Sequence, residues 1–522
     1  MDETISVVNE RKSKLNEFLF SWIKDSYDKY FLVILAFAFV LRIWIFFKTM
    51  NQPLWWDEAD YMSAAKRLGS GLDVRDIWYY RRGFLFPLIS APFFMLSFGE
   101  ICVRLLETLF STGFIFVSYL LMTRFVDKKV ALLASICLTF SWLLLFFSGR
   151  ILTDIPAAFF ILLSFLLFWD GYSLKKGNKY LYFSAIIFAL AVLTRMQSLM
   201  AAPAFLAIAI TKEKHKAFFN KNLLITFLIF VVLMVPQFYL YSVHYGNPFA
   251  DIATHYLGIG EKAAETLDTR TFSKATFNYA FDLPYIIGDW IFYLFLIGLL
   301  LFFFDLVLGF DKIFQNEESQ KKFFVLFFVL CIFLIMGYIG SVSYVEQRYV
   351  TSALPFLFLI TVSPLVKLWE IFEKNHGLSK KTSTILIIGI LLILLFPNFM
   401  LGNKMIEEKK MSYSEVKEAG LLIMENSNPK DIIISGSLPQ ITYYSERTVY
   451  PFGLDGSLEV NETIFLGFVK INKPRYYILS SFEVTPEWAQ IFPETNPGLL
   501  VPVQTYKQGG NYVLIIYEFK YD

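Results

Sequence analysis

Cysteine and histidine are nearly missing from this 522-residue chain, which holds three of the first and four of the second. Cys102, Cys137 and Cys331 each sit in an apolar run with no CxxC spacing, which argues against a disulfide framework, dithiol redox chemistry or a zinc site. His215, His244, His255 and His376 are scattered and give no metal signature. Charge is scarce too: Asp, Glu, Lys and Arg make up 18% of residues, against about 25% in a soluble globular domain. Net charge is only +2, so the total points to no polyanion partner and no nucleic acid. Neither a GxGxxG nor a P-loop fingerprint occurs, so the sequence gives no sign of a nucleotide-binding site. Internal repeats and low-complexity tracts are missing as well. No cleavable signal peptide is evident, because the first ~30 residues are polar and Lys-rich and the apolar segment after them is long enough to span.

What the chain has in excess is apolar surface. Hydrophobic residues reach 56%, with 58 Phe and 29 Tyr spread through long runs that one soluble core cannot hide. A spanning helix needs about 20 mostly apolar residues, and about eleven windows qualify. They fall near 31–47, 101–123, 130–148, 155–173, 180–194, 197–211, 223–243, 284–308, 323–342, 351–366 and 384–400. The segment 84–98 is also apolar but carries Pro87 and Pro92, and reads as a helix at or dipping into the interface. Lys and Arg cluster in the N-terminal segment and in the loops at 124–129, 175–179, 212–221, 321–322 and 374–381. The positive-inside rule therefore predicts a multi-pass cell-membrane protein with a cytoplasmic N-terminus and an extracytoplasmic C-terminus.

Three regions follow: a cytoplasmic segment 1–30, a membrane domain 31–403 and an outer domain 404–522. The membrane domain includes a first external loop 48–100, rich in Trp, Tyr and charge, and a long polar external loop 244–283. In the tail, 404–410 reads as a charged linker and 413–425 as an amphipathic helix with Val416, Ala419, Leu422 and Ile423 on one side. Residues 431–435 read as a buried strand, with 475–479 and 512–518 as further strands. Roughly 115 residues of this kind suit one small α/β domain.

Chemistry-bearing residues gather at the outer ends of the spans. Asp57 and Glu58 follow Trp55 and Trp56 directly after the first span. The plain reading is an aromatic belt with acids facing water; the functional one is a general base at a cavity mouth, supported by Trp56. Arg150 and Asp154, between the third and fourth spans, are four apart. On a continuing helix they share a face, either as an ion pair at a helix start or as a second acid aimed at the same cavity. Arg195 lies between two spans, and Arg348 with Tyr349 at the outer end of a late span. Each arginine could merely snorkel to headgroups. Placed opposite the carboxylates, Arg348, Arg195 and Arg82 (beside Arg81) could instead grip a phosphate leaving group.

A first external loop opening on Trp56-Asp57-Glu58, Asp154 after the third span, and Arg348-Tyr349 followed by Pro355 resemble the GT-C type membrane glycosyltransferases. The nearest branch is that of protein O-mannosyltransferases and the lipid A aminoarabinose transferase, and the likeness covers 31–400. The resemblance implies a polytopic all-α GT-C fold with about eleven spans and a small outer α/β domain. It also implies a hexosyltransferase that moves a sugar, with inversion, from a polyprenyl- or dolichyl-phosphate donor to a hydroxyl on a protein, glycan or lipid. Asp57 is then the base, with Glu58 beside it and their roles exchangeable. Asp154 is the second acid, and Arg348 and Tyr349 meet the donor phosphate. The outer domain lacks the Trp-Trp-Asp style motif of oligosaccharyltransferase catalytic subunits, which argues against transfer of a whole glycan. No cofactor is required; a divalent cation would suit the carboxylates, but one phosphate among arginines does not need it. The competing readings are a transporter or lipid flippase, with ionisable residues at helix midpoints, and an assembly protein whose outer tail docks a partner.

Overall fold

The computed structural model describes residues 25–521 except 79, 81, 97, 250–276, 309–312, 314–315, 340–345, 376–378 and 455–459. Arg81, His255, His376, most of the external loop 244–283 and nearly all of segment 1–30 thus lie outside the described residues.

The protein is a multi-pass membrane protein. Among the described residues, seven helical stretches are long and apolar enough to cross a bilayer: Ser26–Thr49, Gly99–Phe125, Asp154–Ser173, Lys221–Tyr245, Glu317–Gly337, Gln347–Lys374 and Lys381–Asn426. Their ends follow local rules. Asp25, for example, accepts hydrogen bonds from the amides of Tyr27 (2.8 Å) and Asp28 (3.2 Å) and so starts the first span.

The count of about eleven spans is corrected to these seven. Hydropathy windows do not register helix breaks, and several windows are broken. The window 130–148 is split at Ser141 into helices Lys128–Phe140 and Trp142–Phe147, and Asn398 accepts the freed Trp142 amide at 2.7 Å. The windows near 180–211 become helix Asn178–Thr194, a 3₁₀ turn Met196–Ala201 and helix Ala202–Glu213. At 1.5 Å per residue the two helices rise only about 26 Å and about 18 Å, short of a ~30 Å hydrocarbon core. The window 284–308 is interrupted at Gly288, which takes φ 96°. The proline-bearing segment is an 11-residue helix, Leu85–Met95, too short to span and packed on helix Trp56–Ser70 of the first external loop.

The C-terminal domain is α/β. Its five-stranded sheet has the order β2-β1-β3-β5-β4, with β1 Ile432–Ser435, β2 Thr448–Tyr450, β3 Tyr476–Ser480, β4 Leu500–Gln508 and β5 Asn511–Phe519. The β2, β1 and β3 strands run parallel, and β3, β5 and β4 antiparallel. Strand alternation splits the apolar residues between two cores. Ile433 and Ile478 pack with Val416, Ala419 and Ile423, whereas Ile434 and Tyr477 pack with Phe465 and Phe492. The stretch expected as a charged linker is helical through Lys409, continuing Lys380–Lys409. Glu407, paired with both Lys48 and Lys410, anchors that last turn.

This domain sits on the loop that follows the first span. Helix Leu438–Ser445 buries Tyr443 and Tyr444 among Leu54, Ala59, Met62 and Ile151. The Leu54 amide donates to the Tyr444 hydroxyl at 2.8 Å, Lys66 meets Glu446 at 2.6 Å, and Arg75 donates to the Leu454 carbonyl at 2.9 Å.

Candidate active site

The chain leaves the first span in an extended stretch and turns into helix Trp56–Ser70, whose first turn carries Asp57 and Glu58. These adjacent carboxylates do different work. Glu58 is fully buried, and its oxygens accept from the amides of Trp55 (2.6 Å) and Ile151 (2.7 Å). That closes one half of a capping box and ties the turn at 148–153 to the start of the helix. Arg150, 1% exposed, meets Glu58 at 3.4 Å, donates to the carbonyls of Pro53 and Lys409, and lies 3.9 Å over the Trp55 ring. Arg150 therefore pairs with Glu58 and not with Asp154, because residues 150–153 are not helical and the shared face does not exist.

Asp57 points the other way and is about one third exposed at 32%. Its Oδ1 accepts from Arg82 at 2.8 Å and its Oδ2 from Arg348 at 3.1 Å. Burial pushes its carboxyl up, but the guanidinium groups of Arg82, Arg348 and Arg195 outweigh burial and hold it at about 2. Asp154, at the N-terminus of helix Asp154–Phe168, lies 3.3 Å from Arg195 and 3.7 Å from Arg348. Arg195 also donates to Thr153 Oγ1 at 3.1 Å and packs over the Tyr349 ring at 4.8 Å. Arg348 reaches Glu346 at 3.3 Å and lies 5.4 Å from that ring's centre. Asp57, Asp154, Arg82, Arg195, Arg348 and Tyr349 thus meet in one cluster, whereas Glu58 and Arg150 stand behind it. Trp56 is half exposed on the helix and makes no polar contact among the described residues; Trp55 does the packing.

Sequence reasoning passed over Asp60. It is 2% exposed, its Oδ2 meets Arg82 Nε at 3.1 Å, and burial, aided by Asp57 and Asp76, pushes its carboxyl up to about 7 against the pull of Arg82. Its three-residue offset from Asp57 on a helix was the available signal. Tyr61, whose hydroxyl is 3.1 Å from Thr153 Oγ1 and whose ring lies under Arg82, also went unnamed.

Beside the C-terminal half of helix Trp56–Ser70 lies a cleft of about 560 Å³, whose lining begins at Ala64 and does not include Asp57. Ala64, Arg67 and Leu68 form its floor, with Trp78, Tyr80 and Phe84 as aromatic walls. Among the described residues no three His, Cys, Asp or Glu side chains converge as a metal would require. The carboxylates of the cluster face guanidinium groups instead.

Residues 81–240 match the model of a protein family described as dolichyl-phosphate-mannose-protein mannosyltransferase. No curated protein matches the chain in sequence. Among solved structures, ArnT from Cupriavidus metallidurans in the apo state superposes with TM-score 0.63 at 13% identity, over 94% of this chain and 98% of that one. The same protein bound to undecaprenyl phosphate gives TM-score 0.61 at 14% identity, over 93% and 97%. The archaeal oligosaccharyltransferase AglB from Archaeoglobus fulgidus, in complex with an inhibitory peptide and a dolichol-phosphate, gives 0.61 at 12%, over 95% and 75%. The chain shares the fold of these proteins.

Proposed function

We propose that the protein is an inverting glycosyltransferase that moves a sugar from a polyprenyl- or dolichyl-phosphate donor to an acceptor hydroxyl at the outer face of the membrane. The observation that carries this reading is Asp57 bracketed by Arg82 and Arg348, with Asp154 joined to the same Arg348. Acid and base sit where a proton must leave one oxygen while negative charge grows on another. The undecaprenyl phosphate bound to ArnT and the dolichol-phosphate bound to AglB suggest the donor's chemistry.

In the resting cluster each arginine is neutralised by a carboxylate, and Asp57 is correspondingly a weak base. A donor phosphate competes for Arg348 and Arg195, the groups suited to bidentate contact. As the guanidinium charge turns to phosphate, the Asp57 carboxylate regains basicity. It then takes the proton from an acceptor hydroxyl that approaches its exposed side. The acceptor oxygen attacks the anomeric carbon opposite the phosphate, and the phosphate leaves into the arginine cluster. Asp154 holds Arg195 and Arg348 in place for that moment. The acceptor stays open among protein, glycan and lipid, and so does the sugar, with mannose as the default.

Among the described residues Arg42, Arg104, Glu107, Asp154 and Asp170 lie buried within the spans, and a transporter would have buried ionisable groups too. Arg42, however, donates to Ser111 Oγ at 2.7 Å and to the Ala38 carbonyl, so it acts as a clamp between two helices. The test is transfer of radiolabelled sugar from a panel of polyprenyl-phosphate sugars by purified protein, with native membrane extract as acceptor. Transfer by the wild type and none by Asp57→Asn is expected. No transfer from any donor by folded protein rejects the enzyme reading and favours transport.

A further inference from the structure

The first and last spans meet at one end and part at the other. Near the C-terminal end of the first, Lys48 donates to Asn403 Oδ1 at 3.0 Å and pairs with Glu407, both on helix Lys380–Lys409. Toward the N-terminal ends of Ser26–Thr49 and Lys381–Asn426 a groove of about 870 Å³ separates the two. Helix Lys128–Phe140 lines it through Leu132 and Ile136, and the span Gln347–Lys374 through Trp369. Its polar groups stand within the first two turns of each flanking span: Ser26, Tyr27 and Tyr30 on one, Lys381 and Thr384 on the other. Beyond them the lining is apolar apart from Thr139, whose hydroxyl is engaged by the Ser135 carbonyl at 2.8 Å. Val33, Phe37 and Ile385 are exposed, so the groove opens sideways toward the bilayer. It runs from Ser26 to Phe37 on the first span and from Lys381 to Leu392 on the last, a rise of about 16 Å on each. That is about half of a ~30 Å hydrocarbon core, the depth of one leaflet. At its far end the rings of Phe37 and Phe140 lie 5.6 Å apart.

We propose that this groove binds a phospholipid with an anionic headgroup, its phosphate at Lys381 beside the Ser26 and Tyr30 hydroxyls and an acyl chain running past Val33, Ile136 and Ile388 toward Phe37. The charges around the mouth favour that occupant. Lys128 is held by Asp25 at 2.9 Å and Asp28 at 2.6 Å, and Lys129 by Glu373 at 3.6 Å. Lys381 has no carboxylate partner among the described residues, and it is the one charged side chain in the groove's lining. A zwitterionic headgroup would bring an ammonium that finds no carboxylate along this lining. A lysine that merely snorkels needs no leaflet-deep apolar groove beneath it. The donor lipid is a poor occupant, because its phosphate must reach Arg348, which pairs with Asp57 beyond the opposite end of the first span. A lipid seated here braces the span that leads to Asp57 against the helix whose Lys409 carbonyl accepts from Arg150. Its binding does not depend on the glycosyl-transfer reading and is measured without turnover.

The test is native mass spectrometry of the full chain in mild detergent, titrated with phosphatidylglycerol or with phosphatidylethanolamine of the same acyl chains. One phosphatidylglycerol should bind the wild type about fivefold more tightly than phosphatidylethanolamine does. It should also raise the melting temperature by about 2 °C or more, since a ligand of the folded state stabilises it. Lys381→Ala should weaken phosphatidylglycerol binding by about fivefold, the effect of one lysine near a membrane surface, and leave phosphatidylethanolamine binding unchanged. Ile385→Trp fills the groove from an exposed wall position and should abolish binding of both lipids. Should that variant not fold, Val33→Trp fills the groove from the facing span and carries the same expectation. Equal binding of the two lipids by the wild type overturns the proposal, as does phosphatidylglycerol affinity that survives Lys381→Ala or the tryptophan variant. A protein that takes up neither lipid overturns it as well. So does a co-purified occupant, displaced by Ile385→Trp, that proves to be a polyprenyl phosphate.

Discussion

Asp57, Glu58 and Asp60 lie within four consecutive positions of one helix and have three different fates, decided by their partners. Asp57 faces two arginines, so Asp57→Asn should cut kcat by about 10²–10⁴-fold while the protein stays folded. Single-turnover transfer in detergent measures this. Arg348 holds both Asp57 and Asp154, and a lysine there offers one point charge in place of a planar fork. Arg348→Lys should raise the donor KM by about tenfold, readable from donor titrations at fixed acceptor. Asp60 binds its proton more tightly in the folded protein than in the unfolded chain, since burial lifts it to about 7. Its contribution to stability is therefore complete at pH below the unfolded carboxyl's value, and is lost as pH rises through about 7. Asp60→Asn removes that loss. It should raise the melting temperature by about 2–4 °C at pH 8 and by less at pH 5.

At the scale of elements, the site depends on a turn held by a buried ion pair. Glu58 satisfies two backbone amides and Arg150 satisfies two carbonyls, so this pair joins the first external loop, the 148–153 turn and the end of helix Lys380–Lys409. Removing one partner leaves the other charge buried. Glu58→Ala should cost about 3–5 kcal/mol and appear as lost yield and melting temperature, whereas Asp57→Asn should not. Close helix packing makes a similar demand at Gly298, where an added Cβ would collide with the Ile360 carbonyl of helix Leu354–Asn375. Helix breaks matter as much as helices here. Ser141 and Gly288 end apolar runs, and Asn398 serves both breaks by accepting the Trp142 amide and donating to the Ile287 carbonyl.

For the whole molecule, the C-terminal domain packs against the loop that carries Asp57. Tyr444 belongs to the former and fixes the Leu54 amide three residues before Asp57. Tyr444→Phe removes one hydrogen bond, about 1 kcal/mol, and should lower kcat several-fold with an intact fold. Circular dichroism beside the transfer assay separates the two effects. The charge pattern of the loops predicts an extracytoplasmic C-terminal domain. In a cysteine-free background, Lys430→Cys should react with a membrane-impermeant maleimide added to intact cells, and Lys179→Cys should react only after permeabilisation. The reverse pattern would invert the topology and move the arginine cluster to the cytoplasmic face.

Much of this protein could be read directly from its chain, because hydrophobicity, charge bias and strand alternation are local properties. The membrane class and the α/β tail with its 431–435 strand follow from short stretches, which also single out Asp57, Asp154, Arg195 and Arg348 as candidates. Spans were overcounted because hydropathy averages across Ser141 and the 3₁₀ turn Met196–Ala201, where the helices are cut short, and at Ser141 a distant Asn398 accepts the freed Trp142 amide. Only tertiary structure decided which carboxylate meets which arginine. Asp57 and Arg348 stand 291 residues apart, and Arg150 takes Glu58 in preference to the Asp154 next to it in sequence. Pairing depends on distances and burial that exist only after the helices pack. The burial that separates Asp60 from Asp57 is likewise set by neighbours from the strap and the outer domain, and no local pattern encodes it.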